Sequence, residues 1–467
     1  MSRKLAVKSA LLGCLSLAAL FAAGCSSMSS NLTGTASSQT GQAFVIGTDA
    51  PAASVVSFNV QVQSIDAVNT ATNTSVSLIS GSPMVDFARF DGLQDLLNLS
   101  DVPVGTYDSI VITLGSTAQI GYLDTSTAEP TIQEMTLPVS PNSTTIALPS
   151  ALVVNKSQSM GLRVDFKLNK SLANSTGQIA STVTPTFAVS VVKPGDSGGH
   201  VDELIGSVVS VDSSNQQFVI QRPNGRQFTI LVSGRTDWDG NATFSSLNAG
   251  STIVQISGTV DNAESTIDAD EIAILSQDKF FASGQITYTA LPSAPGPGSF
   301  DLYVRNLEPS NTALSLGALA TVNLTGSENY SIYWMRNPMT QFLFNEMALT
   351  PGQDVAIGGP TSDVTSATTT NTNRVVLRPW GFTGTIVSGS ITQSPGSFQM
   401  NVTGFAGVLI NTPVTVYMGG ETDYEDGMTG FGDLSGGTKV RVVGLLLKDP
   451  TSGNLVLLAR HIDGGDN

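Results

Sequence analysis

Hydrophobic and polar residues alternate in short runs along most of the chain. Phe58, Val60 and Val62 fall on one side of an extended segment, with Asn59, Gln61 and Gln63 on the other. Leu162, Val164, Phe166 and Leu168 alternate with Arg163, Asp165 and Lys167, which predicts a strand with one wetted face. The same period predicts strands at 110–114, 145–148 and 187–192. Helical spacing is brief. Leu93, Leu96 and Leu97 predict one turn, and Asn337-Pro338 reads as an N-cap and first-turn proline before Met339, Phe342 and Leu343. Many short strands separated by Gly, Pro and Asn predict an all-β chain of sandwiches and barrels.

The N-terminus departs from this pattern. Arg3, Lys4 and Lys8 precede an apolar run over residues 10–23, too short for the roughly 20 residues of a spanning helix and suited to a secretory leader. Ala22-Ala23-Gly24-Cys25 resembles a bacterial lipobox, with Ala22 where Leu is usual. The resemblance implies a signal peptide over 1–24 and lipidation of Cys25. Ordinary cleavage at an Ala-x-Ala-like site, leaving Cys25 as an incidental thiol, is the other reading. Two or more acyl chains give stable anchoring. Ser26 after the Cys resembles sorting to the outer membrane of a two-membrane bacterium, and residues 25–42 read as a Ser/Thr-rich tether.

Composition narrows the chemistry. Charged residues make up 12% of 467, about half the usual ~25%. With 37 acidic against 21 basic residues, the chain lacks the clustered cations that bind nucleic acid. Two Cys and two His leave little for thiol, zinc or histidine catalysis. Losing residues 1–24 removes Cys14, so Cys25 has no partner for an intramolecular disulfide.

Residues 43–194 read as one immunoglobulin- or transthyretin-like β-sandwich. Thr48-Asp49-Ala50-Pro51 follows its opening strand, and Val102-Pro103-Val104-Gly105-Thr106-Tyr107 leads into Ile110-Val111-Ile112. With Asp86-Phe87 between them, these resemble the bacterial family called domain of unknown function 4382, which carries no assigned chemistry. In the second motif Pro presets φ, Gly is expected to supply a positive φ, and Tyr caps the core while its hydroxyl finds a partner.

Three imperfect repeats follow a Gly-rich linker at 195–202, at 203–276, 279–378 and 380–463. Each opens on Gly206-Ser207-Val208, Gly284-Gln285-Ile286 or Gly384-Thr385-Ile386. Strands starting at Phe218, Phe300 and Phe398 come next, and each repeat closes on Leu247-x-x-Gly250, Leu349-x-x-Gly352 or Leu434-x-x-Gly437. Five strands with an irregular segment between the third and fourth match a small OB-like barrel. The pattern also resembles the family called domain of unknown function 5666. The middle copy is stretched by 291–298 and 330–347.

Candidate chemistry is sparse. Gly195-Asp196-Ser197-Gly198-Gly199 resembles the nucleophile stretch of chymotrypsin-like proteases, but no His motif precedes it, so it reads as linker. Trp238, Tyr330, Trp334 and Tyr424 occupy comparable repeat positions beside polar residues. They serve either as ligand-stacking faces, which suit glycans, or as plugs of the barrel ends. Glu421, Asp423, Glu425 and Asp426 form an acidic loop that admits calcium, the one cofactor the sequence allows; a solvated loop is the plainer reading. The expectation is a non-catalytic envelope lipoprotein acting as an adhesion, scaffold or assembly protein. Its partners are the membrane, through its anchor, and envelope proteins or glycans, with no nucleic acid. A glycan-binding array is the alternative, and an envelope hydrolase the second.

Overall fold

The computed structural model describes residues 40–464, apart from 51–54, 80, 91–94, 125, 128, 157–159, 173–178, 194–198, 223–224, 239–241, 262–265, 277–278, 295, 309–311, 334–341, 403–412 and 425–427. The fold is all-β: a two-sheet sandwich followed by barrels. In one sandwich sheet, Thr40–Ala50 lies between Met160–Lys167, to which it is parallel, and Asp95–Pro103, to which it is antiparallel. Phe187–Val192 adds to the outer side of Met160–Lys167. The other sheet is built on the long pair Val55–Asn69 and Gly105–Asp124, flanked by Thr74–Ser77 and Thr131–Pro138. The alternating residues read from the sequence face inward: Phe166 stacks on Phe58 at 5.1 Å and lies 4.8 Å from Phe87, centroid to centroid.

Two local expectations are corrected. Leu96 and Leu97 belong to the strand Asp95–Pro103, not to a helical turn, because that segment pairs with Thr40–Ala50 and buries Leu96. Leu93 and the Asn337-Pro338 turn lie outside the described residues. Gly105 does not take a positive φ; one strand ends at Pro103 and the next starts at Gly105. The tyrosine does cap the core, its hydroxyl donating to the Pro103 carbonyl at 2.9 Å.

The first barrel uses His200–Asp212, Gln217–Gln221, Gln227–Leu231, Ile253–Val260 and Thr266–Ser276 in the circular order one-two-three-five-four. Its first strand begins at His200, inside the stretch expected as linker. The third barrel repeats the circuit with Trp380–Ile386, Gly396–Val402, Pro413–Tyr424, Lys439–Lys448 and Leu455–Gly464. In the second copy, Lys279–Ala290, Gly298–Glu308, Leu319–Leu324 and Asp354–Pro360 are joined by a fifth strand split into Thr369–Asn371 and Arg374–Arg378.

Three details recur in all copies. The opening glycines Gly206, Gly284 and Gly384 pair with Val254, Val355 and Val440. The third strand runs parallel to the fifth, then steps forward by three extra residues before pairing again at Trp238, Tyr330 and Tyr424. A 3-10 turn then leads to a buried Leu and to Gly250, Gly352 or Gly437, with φ of 81°, 99° and 87°. Their N–H groups donate to the carbonyls of Val208, Ile286 and Ile386. Positive φ is cheap only for glycine, which is why this position reads so clearly in the sequence.

The hydrophobic cores cross from one sheet system to the next. Leu445, Leu447, Val456 and Leu458 of the third barrel pack into the core of the second. Phe44, Ile46, Leu96 and Val192 of the sandwich join the core of the first barrel. Ile205, Ile253, Ala273 and Leu275 meet Phe281, Tyr333, Ala356 and Val376 between barrels one and two. Hydrogen bonds fasten the same seams. Gln353 Nε2 donates to the Leu446 carbonyl at 3.0 Å and Arg374 Nη1 to that of Ile274 at 2.6 Å.

Candidate functional site

The aromatic residues at the third-strand step are half-buried. Trp238 meets Phe244 edge-on at 6.4 Å, and Tyr330 meets Phe344 at 5.8 Å. Tyr424 packs on the third core beside Met428 and Phe431. The hydroxyls of Thr236 and Thr422 donate to the Ala269 and Ala459 carbonyls, both at 2.8 Å, and so pin the chain just before Trp238 and Tyr424. Burial drives the Tyr330 hydroxyl pKa above its ordinary value, and the nearby carboxylates of Glu328 and Glu346 add to the effect. Trp334 lies outside the described residues.

Asp423 is exposed, 3.8 Å from His461 Nδ1. Glu425 and Asp426 lie outside the described residues, as does the side chain of Glu421. Among the described residues, no three His, Cys, Asp or Glu side chains gather to hold a metal ion. Cys25 and residues 195–198 are likewise outside them.

The structure assembles one constellation that the sequence reading missed. Ser257 Oγ lies 3.0 Å from His200 Nε2, and His200 Nδ1 lies 3.6 Å from Asp270 Oδ2. These residues come from the first, fourth and fifth strands of barrel one, which the antiparallel ladders bring side by side. The order Ser-His-Asp is that of an activated hydroxyl. Two features oppose that chemistry. Ser257 is 0% exposed, so an acyl group has no approach to Oγ. Arg460 of the third barrel donates from Nη2 to the same oxygen at 3.2 Å and also lies 3.8 Å from Glu271 Oε2. With the guanidinium on Oγ, the arrangement ties barrel three to barrel one.

A second polar junction joins the sandwich to barrels two and three. Arg305 of the second barrel places its guanidinium 4.4 Å from the Trp380 ring centroid and 5.7 Å from that of Tyr303. Burial pushes the Tyr303 hydroxyl up to about 12. Asp86 is half-buried in the sandwich, with Oδ1 accepting from the Phe58 N–H at 2.7 Å. Burial raises its carboxyl above the usual range, against the opposing pull of the Phe58 bond, Arg305 and Arg89. A raised acid holds its proton more tightly folded than unfolded. Stability is therefore lost as pH climbs from about 3.8 through the raised value, and stays lower above it. Asp86→Asn is accordingly expected to raise the melting temperature at pH 7 and to lose that advantage near pH 3, in paired thermal melts across pH. An advantage independent of pH would refute the assignment.

No curated protein matches the chain. One family model does match, over residues 40–185, which hold every strand of the sandwich except Phe187–Val192. The N-terminal sandwich is thus similar to the family described as domain of unknown function (DUF4382).

Proposed function

We propose that the protein is a non-catalytic cell-envelope lipoprotein, anchored through Cys25 to the outer membrane of a two-membrane bacterium, and that it serves as a scaffold or adhesion module for another envelope protein. The observation that carries this reading is the sharing of cores between neighbouring barrels and between barrel and sandwich. Such packing makes a stiff body that offers surfaces to partners. The resemblance of the three barrels to domain of unknown function 5666 belongs to the same reading. Thr131–Pro138 supplies an edge: it ends its sheet and five of its eight residues are exposed, a form suited to strand addition by a partner.

A photo-crosslinking residue at Gln133 in the full chain, expressed in such a bacterium, is expected to trap a discrete envelope protein. Cys25→Ala is expected to release the chain from the membrane fraction. Absence of any crosslink, with saturable glycan binding lost on Trp238→Ala together with Tyr424→Ala, would instead establish the glycan-binding reading. The buried Ser257 gives a separate check on catalysis. A fluorophosphonate probe is expected to leave the native chain unlabelled, and labelling abolished by Ser257→Ala would overturn the non-catalytic assignment.

A further inference from the structure

The outer face of the long sandwich sheet carries two polar rows beside the second barrel. Ser57, Gly121 and Glu134 stand opposite one another across three adjacent strands, and Asn59, Gln119 and Thr136 form the next row. Residues two apart on a strand share a face, so all six belong to one side of the sheet. Phe58, Ile120 and Met135, between them, turn the other way into the sandwich core. The two rows line a groove of about 260 Å³. Gly121 keeps its floor low: Ser57 Oγ accepts from the Gly121 N–H at 3.0 Å, and a Cβ on Gly121 would come within 2.5 Å of that oxygen. One row further along the same face, Leu123 and Ile132 pack with Val56 against Tyr303 and Leu319 of the second barrel. The barrel thus stands at one end of the groove.

The lining is rich in hydrogen-bonding groups that the protein leaves unmet. Gln119, Glu134 and Thr136 are exposed and Asn59 is half-buried. Among the described residues, none of these four side chains hydrogen-bonds to the protein. Two amides, a hydroxyl and a carboxylate therefore offer donors and acceptors that only solvent or a ligand can meet. Their chemistry rules out most ligand classes. An apolar molecule would cover amides and hydroxyls without replacing their water. An anion would meet Glu134, the one charged group of the lining. A hard cation such as calcium takes about six to eight oxygens, and among the described residues no three His, Cys, Asp or Glu gather to supply them. A neutral polyol remains.

We propose that this groove binds a neutral hexose, free or as one unit of a glycan, through hydrogen bonds from its hydroxyls to Asn59, Gln119, Glu134 and Thr136. A sugar hydroxyl both donates and accepts. An amide side chain answers with both a donor and an acceptor, and a carboxylate accepts from two neighbouring hydroxyls at once. The groove far exceeds the roughly 10–15 Å³ that one ordered water needs, so it takes a ligand the size of a sugar ring. The site does not rest on the scaffold reading, because strand addition uses the backbone edge of Thr131–Pro138 and the groove uses side chains on the sheet face.

The test is isothermal titration of the full chain with neutral trisaccharides of glucose, galactose and mannose, the three free hexoses, trigalacturonate and hexanol. At least one neutral sugar is expected to bind saturably and at least tenfold more tightly than trigalacturonate or hexanol. A trisaccharide bound more tightly than its hexose identifies a glycan chain as the source, and equal affinity identifies a free sugar. Gln119→Ala and Thr136→Ala, both at exposed positions, are each expected to weaken binding at least fivefold with an unchanged melting temperature. Trp238→Ala together with Tyr424→Ala is expected to leave the dissociation constant as it was. Absence of binding by every neutral sugar would overturn the proposal. So would trigalacturonate or hexanol binding as tightly, an unchanged dissociation constant in Gln119→Ala, or binding lost in a folded Trp238→Ala, Tyr424→Ala chain. A crosslink from Gln133 that persists where sugar binding fails would sink this site alone and leave the scaffold role standing.

Discussion

Trp380→Ala is expected to destabilise the protein by about 3–5 kcal/mol, the range for removing a large buried aromatic. Trp380 heads the first strand of the third barrel, pairs with Gly444 in the ladder and is 2% exposed. Its ring also receives the Arg305 guanidinium from the second barrel, so truncation opens a cavity in one core and strips the cover from a buried cation. The same contact predicts an asymmetry. Arg305 is 7% exposed, and among the described residues its Nε and Nη1 have no hydrogen-bond acceptor. Replacing an imperfectly paired buried cation by an apolar side chain of similar reach is often neutral. Arg305→Met is therefore expected to change stability by less than about 1 kcal/mol, because the lost cation–π attraction is offset by relief of desolvation. Urea unfolding of both variants decides the matter. An Arg305→Met cost equal to that of Trp380→Ala would mean that the attraction to Asp86 holds the junction.

Gly284→Ala is expected to cost about 3 kcal/mol or more, since a Cβ there would land on the Tyr303 carbonyl oxygen of the adjacent strand. The strand breaks register between Ser283 and Gly284, and a barrel this small turns its first strand sharply at such a point. The equivalent glycines meet the same obstacle with more room. A Cβ on Gly384 would come within 2.5 Å of the Asn401 oxygen, and one on Gly206 within 2.9 Å of the Gln221 oxygen. Thermal melts are expected to rank the three alanine variants in that order, with Gly284→Ala the worst. Gly250→Ala separates backbone strain from collision: its φ is 81° and nothing lies within 4 Å, so only the left-handed penalty of about 1–2 kcal/mol applies. A Gly284→Ala chain as stable as Gly250→Ala would show that the two strands part without cost.

The sandwich strands and the repeated barrels were legible because they rest on local requirements. A strand with one wet face must alternate, and a turn with positive φ must carry glycine at Gly250, Gly352 and Gly437. The misreadings were local as well. Three leucines at 93, 96 and 97 mimic a helical turn, but pairing with Thr40–Ala50 overrides so short a pattern. Gly105 resembles a turn glycine, yet the turn there is set by Pro103 and Tyr107.

The candidate sites belong to another class. Ser257 and His200 are 57 residues apart and meet only because two ladders flank the fourth strand. Arg222 is 126 residues from the Leu96 carbonyl it holds. The contact of Trp238 with Phe244 likewise joins positions that no local pattern links. By itself the sequence determined the all-β class, the strand-forming segments and the threefold repeat, since alternation and obligatory glycines act over a few residues. Only the tertiary structure decided which charges reach across a seam, which aromatics are covered and which hydroxyl is sealed from solvent. Those outcomes depend on contacts between distant segments, and no local pattern in the chain encodes them.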